Sequence, residues 1–295
     1  MKRIFTLATF LAGTVALPAM AQTVVGSVGG DLGFNFVREA DSPGSLDRAD
    51  VASARLAADA AWQLGNAFLL GVGADLRWDD FSSTSDFDDD EDPDWQGQLA
   101  IHALRQLGDG SRAGVFATAG EAQSQGGAAD ETYGVWLVGV EGQTLLSDNV
   151  LVFGQLGGGD VLADGDGETE GFTGGYVARA GGVWFASDRT AVMASVEHSG
   201  TDKYIDSNDP GRFWDVTIAG ETRLSTDKPL LATYGMSYTF IDSTDEGDNH
   251  GETRLFAGIK FLFGADSPRE RWVNGIALGT PVTPLRASAW TEYVD

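Results

Sequence analysis

The sequence has no cysteine, so neither a disulfide framework nor thiolate chemistry is open to it. Basic residues are scarce: 19 Lys and Arg stand against 44 Asp and Glu, a formal net charge of −25. A nucleic-acid partner needs a positive surface to meet its phosphates, so that class is excluded. With three histidines and no cysteine, a zinc site is not expected. Long apolar runs are missing after the first residues, because polar or charged residues interrupt each one. A helical membrane protein, which needs about 20 apolar residues per span, is ruled out. There is no Gly-x-Ser-x-Gly motif and no phosphate-binding loop.

The one exception lies at the N-terminus. Lys2 and Arg3 precede an apolar run from Ile4 to Leu17, and Ala19-Met20-Ala21 follows as a small-x-small cleavage site. This is the pattern of a secretory signal peptide, residues 1–21, with a mature chain from Gln22. Its removal takes away two positive charges and makes the remaining chain still more acidic. A secreted chain without disulfides must draw its stability from elsewhere. A closed, hydrogen-bonded barrel is one such source.

What is abundant points the same way. There are 40 glycines and eight tryptophans, as suits tightly curved sheets with interfacial aromatic belts. Tight turns recur at Leu64-Gly65-Asn66, Gly108-Asp109-Gly110, Ser147-Asp148-Asn149, Ser187-Asp188-Arg189 and Ser225-Thr226-Asp227-Lys228. From Gly65 through Asp109, Asp148, Asp188 and Asp227 the steps are 44, 39, 40 and 39 residues. Longer polar loops precede, separate and follow these tight turns, near 39–48, 79–94, 124–131, 163–171, 200–211 and 242–252. Short and long connections therefore alternate, as periplasmic turns and external loops do in an outer-membrane barrel.

Twelve strand-like segments flank these connections, about 23–37, 51–64, 67–78, 95–107, 112–123, 132–146, 150–162, 172–186, 190–199, 212–224, 229–241 and 253–264. Most exceed the five or six residues usual in soluble proteins and reach the roughly 9–11 needed to cross a bilayer at a tilt. Within them, side chains alternate. Trp214, Val216, Ile218 and Leu224 share one face, and Asp215, Thr217, Glu221 and Arg223 the other. Ala232, Tyr234, Met236, Tyr238 and Phe240 oppose Thr233, Gly235, Ser237 and Thr239. A charged face on strand after strand cannot form an oily core, so the apolar face is expected to look out at lipid. The fold class is an all-β, transmembrane, up-and-down antiparallel barrel of twelve strands. A propeller, the rival for a period near forty, needs four short strands per repeat rather than two long ones. A β-sandwich or a soluble β-helix is the other rival.

Two sets of residues follow. The lumen-lining candidates are Asp31, Asn35, Arg55, Asp59, Asp75, Arg77, His102, Glu141, Gln143, Gln155, Arg179, Glu197, Asp215, Glu221, Arg223, Arg254 and Lys260. The aromatic girdle is Trp62, Trp78, Trp95, Trp136, Trp184, Trp214, Tyr238, Phe261 and Phe263. Both signs of charge occur in the first set. They can line a selective pore or pair off inside a closed lumen, and twelve strands lie between the filled and the channel-forming barrel sizes. The acidic runs Asp86–Asp94 and Asp164-Gly-Asp-Gly-Glu168 fall in external loops. Asp164, Asp166 and Glu168 could coordinate Ca²⁺, but no full calcium loop is present, and a hydrated acidic rim that concentrates cations is the simpler reading. No cofactor is expected.

The segment Tyr133-Gly-Val-Trp-Leu-Val-Gly-Val-Glu-Gly-Gln143, followed by Leu145-Leu-Ser-Asp-Asn149, and the aromatic-ended run Arg254-Leu-Phe-Ala-Gly-Ile-Lys-Phe-Leu-Phe263 resemble the porin-like outer-membrane β-barrel proteins of Gram-negative bacteria. The resemblance covers about 22–264. It implies export to the outer membrane, a closing strand read by the barrel-assembly machinery, and contact with outer-membrane lipid and lipopolysaccharide. Its motifs name no substrate; the charged lumen face points to passive diffusion of small hydrophilic solutes or ions rather than catalysis. A closed structural or adhesive barrel is the alternative, and a hydrolase using His102 a third. Such barrels often stop at the final aromatic, whereas residues 265–295 continue here, with Pro268, Arg269, Arg271, Trp272, Pro281, Pro284, Arg286 and Trp290. This extension is expected in the periplasm or in the lumen.

Overall fold

A computed structural model describes residues 24–39, 48–65, 67–80, 94–108, 110–124, 131–163, 173–203, 211–225, 227–243 and 250–276. The signal peptide, the acidic loop runs up to Pro93, Asp164, Asp166 and Glu168, and the tail beyond Ile276 lie outside these residues. No helix among the described residues is long and apolar enough to cross a membrane.

Twelve strands follow in order: β1 Val24–Glu39, β2 Arg48–Leu64, β3 Phe68–Asp80, β4 Asp94–Gly108, β5 Ser111–Ser124, β6 Glu131–Ser147, β7 Val150–Ala163, β8 Thr173–Ser187, β9 Thr190–Lys203, β10 Gly211–Arg223, β11 Leu230–Ser243 and β12 His250–Phe263. Each pairs antiparallel with its chain neighbours, and β12 returns to β1, from Gly26↔Phe263 to Glu39↔His250, so the sheet closes without an edge. Closure matters because an open edge would leave unpaired N–H and C=O groups in hydrocarbon.

The ends differ a little from the sequence pattern. β9 runs on to Lys203 and β12 begins at His250, so His250 pairs with Ile241 instead of lying in a loop. Asp79 and Glu252 likewise belong to strands. Polar composition marked those residues as loop, yet strand pairing carries past the point where the lipid-facing alternation stops.

The tight turns share a local device. The hydroxyl oxygens of Ser147, Ser187 and Ser225 accept from the backbone N–H two residues on, at 3.3, 3.2 and 3.2 Å. A serine at that place supplies the bond a turn needs, which is why the triplet recurs.

Side-chain direction follows the period of two. Ile218, Tyr234 and Ile259 are 50%, 45% and 59% exposed on the outer surface, while their neighbours Glu221, Leu231 and Leu262 are buried within. The apolar face is therefore the outer one, as a wall set in lipid requires. The inner face is not uniformly polar, however. Toward the tight turns it carries Leu69, Leu104, Leu151, Phe153, Val183 and Phe185, a compact apolar core inside the barrel. The strands there are apolar on both faces, as in Val183-Trp184-Phe185, so alternation is hidden.

The tail completes that core. Gly264 ends β12 at φ +66, in the left-handed region, where a Cβ would lie 1.7 Å from the carbonyl oxygen of Val24. Only glycine turns there, and the chain is directed into the mouth at the tight-turn end. Helix α1, Pro268–Asn274, follows. Ser267 caps it, accepting from Glu270 N–H at 3.1 Å, with Pro268 opening the helix. Glu270 reaches back to accept from Asp266 N–H at 2.8 Å. Trp272 and Ile276 then pack into the apolar inner core. Ile276 fits over Gly71, where a Cβ would meet its Cδ1 at 2.0 Å.

Candidate functional site

The site is the lumen, built by inward-facing positions on all sides of the barrel. Near the loop end, β1, β2, β3 and β12 hold one connected polar cluster. Asn35 donates to Asp79 at 3.0 Å and accepts from Ser53 at 3.3 Å. Arg77 donates to Asp79 at 2.9 Å and pairs with Glu252. Arg254 donates to Ser53 at 3.0 Å and pairs with Asp31. Just below, Arg55 Nε lies 2.8 and 3.0 Å from the two oxygens of Asp75.

The opposite wall carries a second set. His102 Nδ1 lies 2.9 and 3.0 Å from the carboxylate oxygens of Glu141, which also accepts from Gln155 at 3.1 Å. His102 is 1% exposed. The partners found for its Nδ1 are carboxylate oxygens rather than a hydroxyl nucleophile, an arrangement of packed polar core. Arg179 lies 3.7 Å from Glu197. Asp215 accepts from Thr217 at 2.7 Å and from Thr239 at 3.0 Å. Gln143 is buried on the same wall.

The floor is made with the tail. Arg271 Nη2 donates to Asp59 at 2.7 Å, and Asp59 also accepts from Ser27. Trp272 Nε1 donates to Glu221 at 3.0 Å, and Glu221 pairs with Lys260. The guanidinium of Arg271 lies 4.6 Å from the Trp272 ring centroid. Burial draws the Arg271 guanidinium toward losing its proton; Asp59 and Glu221 outweigh that and raise its pKa above the ordinary value. Below, Arg112 donates to the carbonyl of Gly275 at 3.0 Å, and Arg269 to that of Asp148 at 3.1 Å. Arg223 sits at the rim and bonds the carbonyls of Lys228 and Asp266.

Between floor and upper cluster is a cavity of about 240 Å³. At ~30 Å³ per water that is room for about eight waters. Asp31, Asp59, Asp75, Glu197, Asp215 and Glu221 line it, against Arg55, Arg179, Lys260 and Arg271. Asp31, Asp59, Asp75, Glu197 and Glu221 are each paired with a cationic side chain, Asp31 with Arg254, so Asp215 is the carboxylate in excess, which favours cations in the cavity.

The lumen candidates from the sequence thus all sit on the inward face, with Arg223 at its edge. The structure adds Asp79, Arg112 and Glu252, and it seats Arg271 and Trp272 of the C-terminal extension in the lumen floor. Asp79 and Glu252 lie two residues from Arg77 and Arg254, and that spacing was the available signal. Nothing local marked the partners of Arg271, because they come from distant strands.

The girdle residues divide between the ends. Trp62, Trp184, Phe261 and Phe263 lie on the outer face near the tight turns, and Trp78, Trp95, Trp136, Trp214 and Tyr238 toward the loops. Trp214 stacks on His198 with centroids 4.1 Å apart, and Tyr176 Oη lies 2.8 Å from His198 Nε2. Aromatics with a polar edge suit the membrane–water boundary.

No protein-family model matches the chain, and no curated protein is significantly similar to it. Solved structures do match in fold. An outer-membrane channel from Pseudomonas putida F1 aligns with a TM-score of 0.52 at 14% identity, over 84% of this chain and 97% of that one. The translocator domain of the autotransporter NalP from Neisseria meningitidis aligns at 0.47 and 12% identity, over 89% and 96%. The toluene transporter TodX of Pseudomonas putida aligns at 0.43 and 11%, over 86% and 93%. The chain shares the closed antiparallel β-barrel fold of the Pseudomonas putida F1 outer-membrane channel.

Proposed function

We propose that the protein is an outer-membrane channel for small hydrophilic solutes, with a preference for cations. The observation that carries this reading is the mid-lumen cavity, in which six carboxylates face four cationic groups. Fixed charges of both signs across a narrow space orient and select solutes, and the acidic excess sets the sign of the preference. The fold shared with the Pseudomonas putida F1 channel supports a transport role without naming a solute. Trp272 and Ile276 of the tail pack in the inner apolar core toward the tight-turn end and narrow the lumen there. The outer aromatic belts suit lipid and lipopolysaccharide, and the Phe261 and Phe263 end suits recognition during barrel assembly.

A closed structural barrel is the second reading, favoured by the paired charges Arg77–Glu252, Arg254–Asp31 and Arg55–Asp75 that fill the upper lumen. Planar bilayers separate the two. The native chain and the Ile276→Ala variant are compared in a potassium chloride gradient. Stepwise currents with a reversal potential of the cation-selective sign are expected, more frequent in the variant. Silence from both, across voltages and salts, would leave the structural barrel.

A further inference from the structure

The floor of the lumen already holds a guanidinium, and it belongs to the chain itself. Asp59 on β2 and Glu221 on β10 face the same point from different strands, with the Ser27 hydroxyl bonded to Asp59. Arg271 enters from the tail and makes one short contact, Nη2 to Asp59 at 2.7 Å. Its Nε and Nη1 are buried without a hydrogen-bond partner, and so is Oδ1 of Asp59. Arg271 is 7% exposed. A guanidinium and a carboxylate satisfy each other best as a two-bond fork. The wall offers the acceptor for that fork, yet the tethered side chain leaves half of it unused. A free guanidinium is not held by a backbone and can turn to use both oxygens. The cavity above gives the rest of such a solute room.

We propose that the Asp59–Glu221 floor is a binding site for guanidinium-bearing solutes, and that Arg271 occupies it as an internal competitor, so that such a solute opens the channel by displacing the tail. This rests on the channel reading above. The competitor is easily released. A helix of seven residues does not persist in water by itself, so α1 unfolds once its contacts are lost and gains chain entropy. A group tethered by a short segment acts at an effective concentration of about millimolar. A free solute therefore competes in that range, far below denaturing concentrations.

The test uses the full chain and methylguanidinium chloride, with tetramethylammonium chloride at equal ionic strength as control. Tetramethylammonium carries the charge without hydrogen-bond donors. Open probability in planar bilayers and amide hydrogen exchange across residues 268–275 are both read. Methylguanidinium at millimolar concentration is expected to raise the open probability of the native channel several-fold and to speed exchange in α1, and tetramethylammonium to do neither. Arg271→Ala is expected to be open without additive and to lose the response, and Arg271→Gln, which keeps more of the packing, to behave alike. Heat-dependent gel mobility establishes that each variant is folded. If the variants open but methylguanidinium changes neither exchange nor current in the native chain, the binding site is overturned while the channel stands. If no form conducts, the channel reading falls, and faster exchange in α1 still decides whether the floor binds the cation.

Discussion

At the scale of single residues, charge is tolerated in this lumen only in company. Arg254 illustrates the rule, because Ser53 and Asp31 take its donors and all three side chains face inward. Removing one partner of a buried pair leaves the other uncompensated, at a cost of about 3–5 kcal/mol. Arg254→Met keeps much of the volume and removes the charge, leaving Asp31 without its cation. Its unfolding free energy in detergent, read from urea titration of the heat-dependent gel shift, is expected to fall by about that amount. An unchanged midpoint would show that Asp31 finds other company, and that the upper cluster is less tightly interlocked than its distances imply.

At the scale of the strand, position along the membrane normal decides what a substitution costs. β10 alternates without interruption from Phe213 to Ile218, with Phe213 and Asp215 buried and Trp214, Val216 and Ile218 exposed. Ile218 lies near the middle of the strand and Leu224 just beyond its tight-turn end. An arginine at the bilayer midplane of a barrel costs about 2–4 kcal/mol, and about 0–1 near an interface. Ile218→Arg is therefore expected to destabilise the folded barrel in lipid bilayers markedly more than Leu224→Arg, measured by equilibrium unfolding. Equal costs would mean that this face does not meet hydrocarbon. The strand also shows where period-two reading succeeds and where it fails. In β10 and β11 the outward and inward sets were legible from the sequence. In β8 the run Val183-Trp184-Phe185 is apolar throughout, and only the packed tail explains why the inner members are apolar as well.

At the scale of the whole molecule, the first strand, the last strand and the segment after it meet in one place. The closing strand pairs with the first, Gly264 turns the chain inward, and Ile276 seats over Gly71 on β3. A methyl group at residue 71 would lie 2.0 Å from Ile276 Cδ1. That atom is the end of a flexible side chain on a short tail, so the tail yields before the wall does. Gly71→Ala is expected to speed amide exchange in α1 without changing exchange in β2, β3 and β4. Exchange in the double variant Gly71→Ala, Ile276→Ala is expected to be no faster than in Ile276→Ala alone, since the clash is then gone. A Gly71→Ala barrel with full protection of α1 would show that the seat of Ile276 does not hold the plug.

The sequence by itself determined the barrel. Turns built on serine and glycine at a near-constant spacing, long strands between them, and alternation in most strands suffice, because each is a local pattern of period two and pairing between chain neighbours needs nothing more. The inward set of charges was legible for the same reason. What only the tertiary structure decided is who meets whom across the lumen and what fills it. Asp59 meets Arg271, Arg77 meets Glu252 and Trp272 meets Glu221 because closure and strand stagger bring distant segments to one height. No periodicity encodes that height, and a seven-residue helix has no amphipathic signal long enough to announce where it will dock.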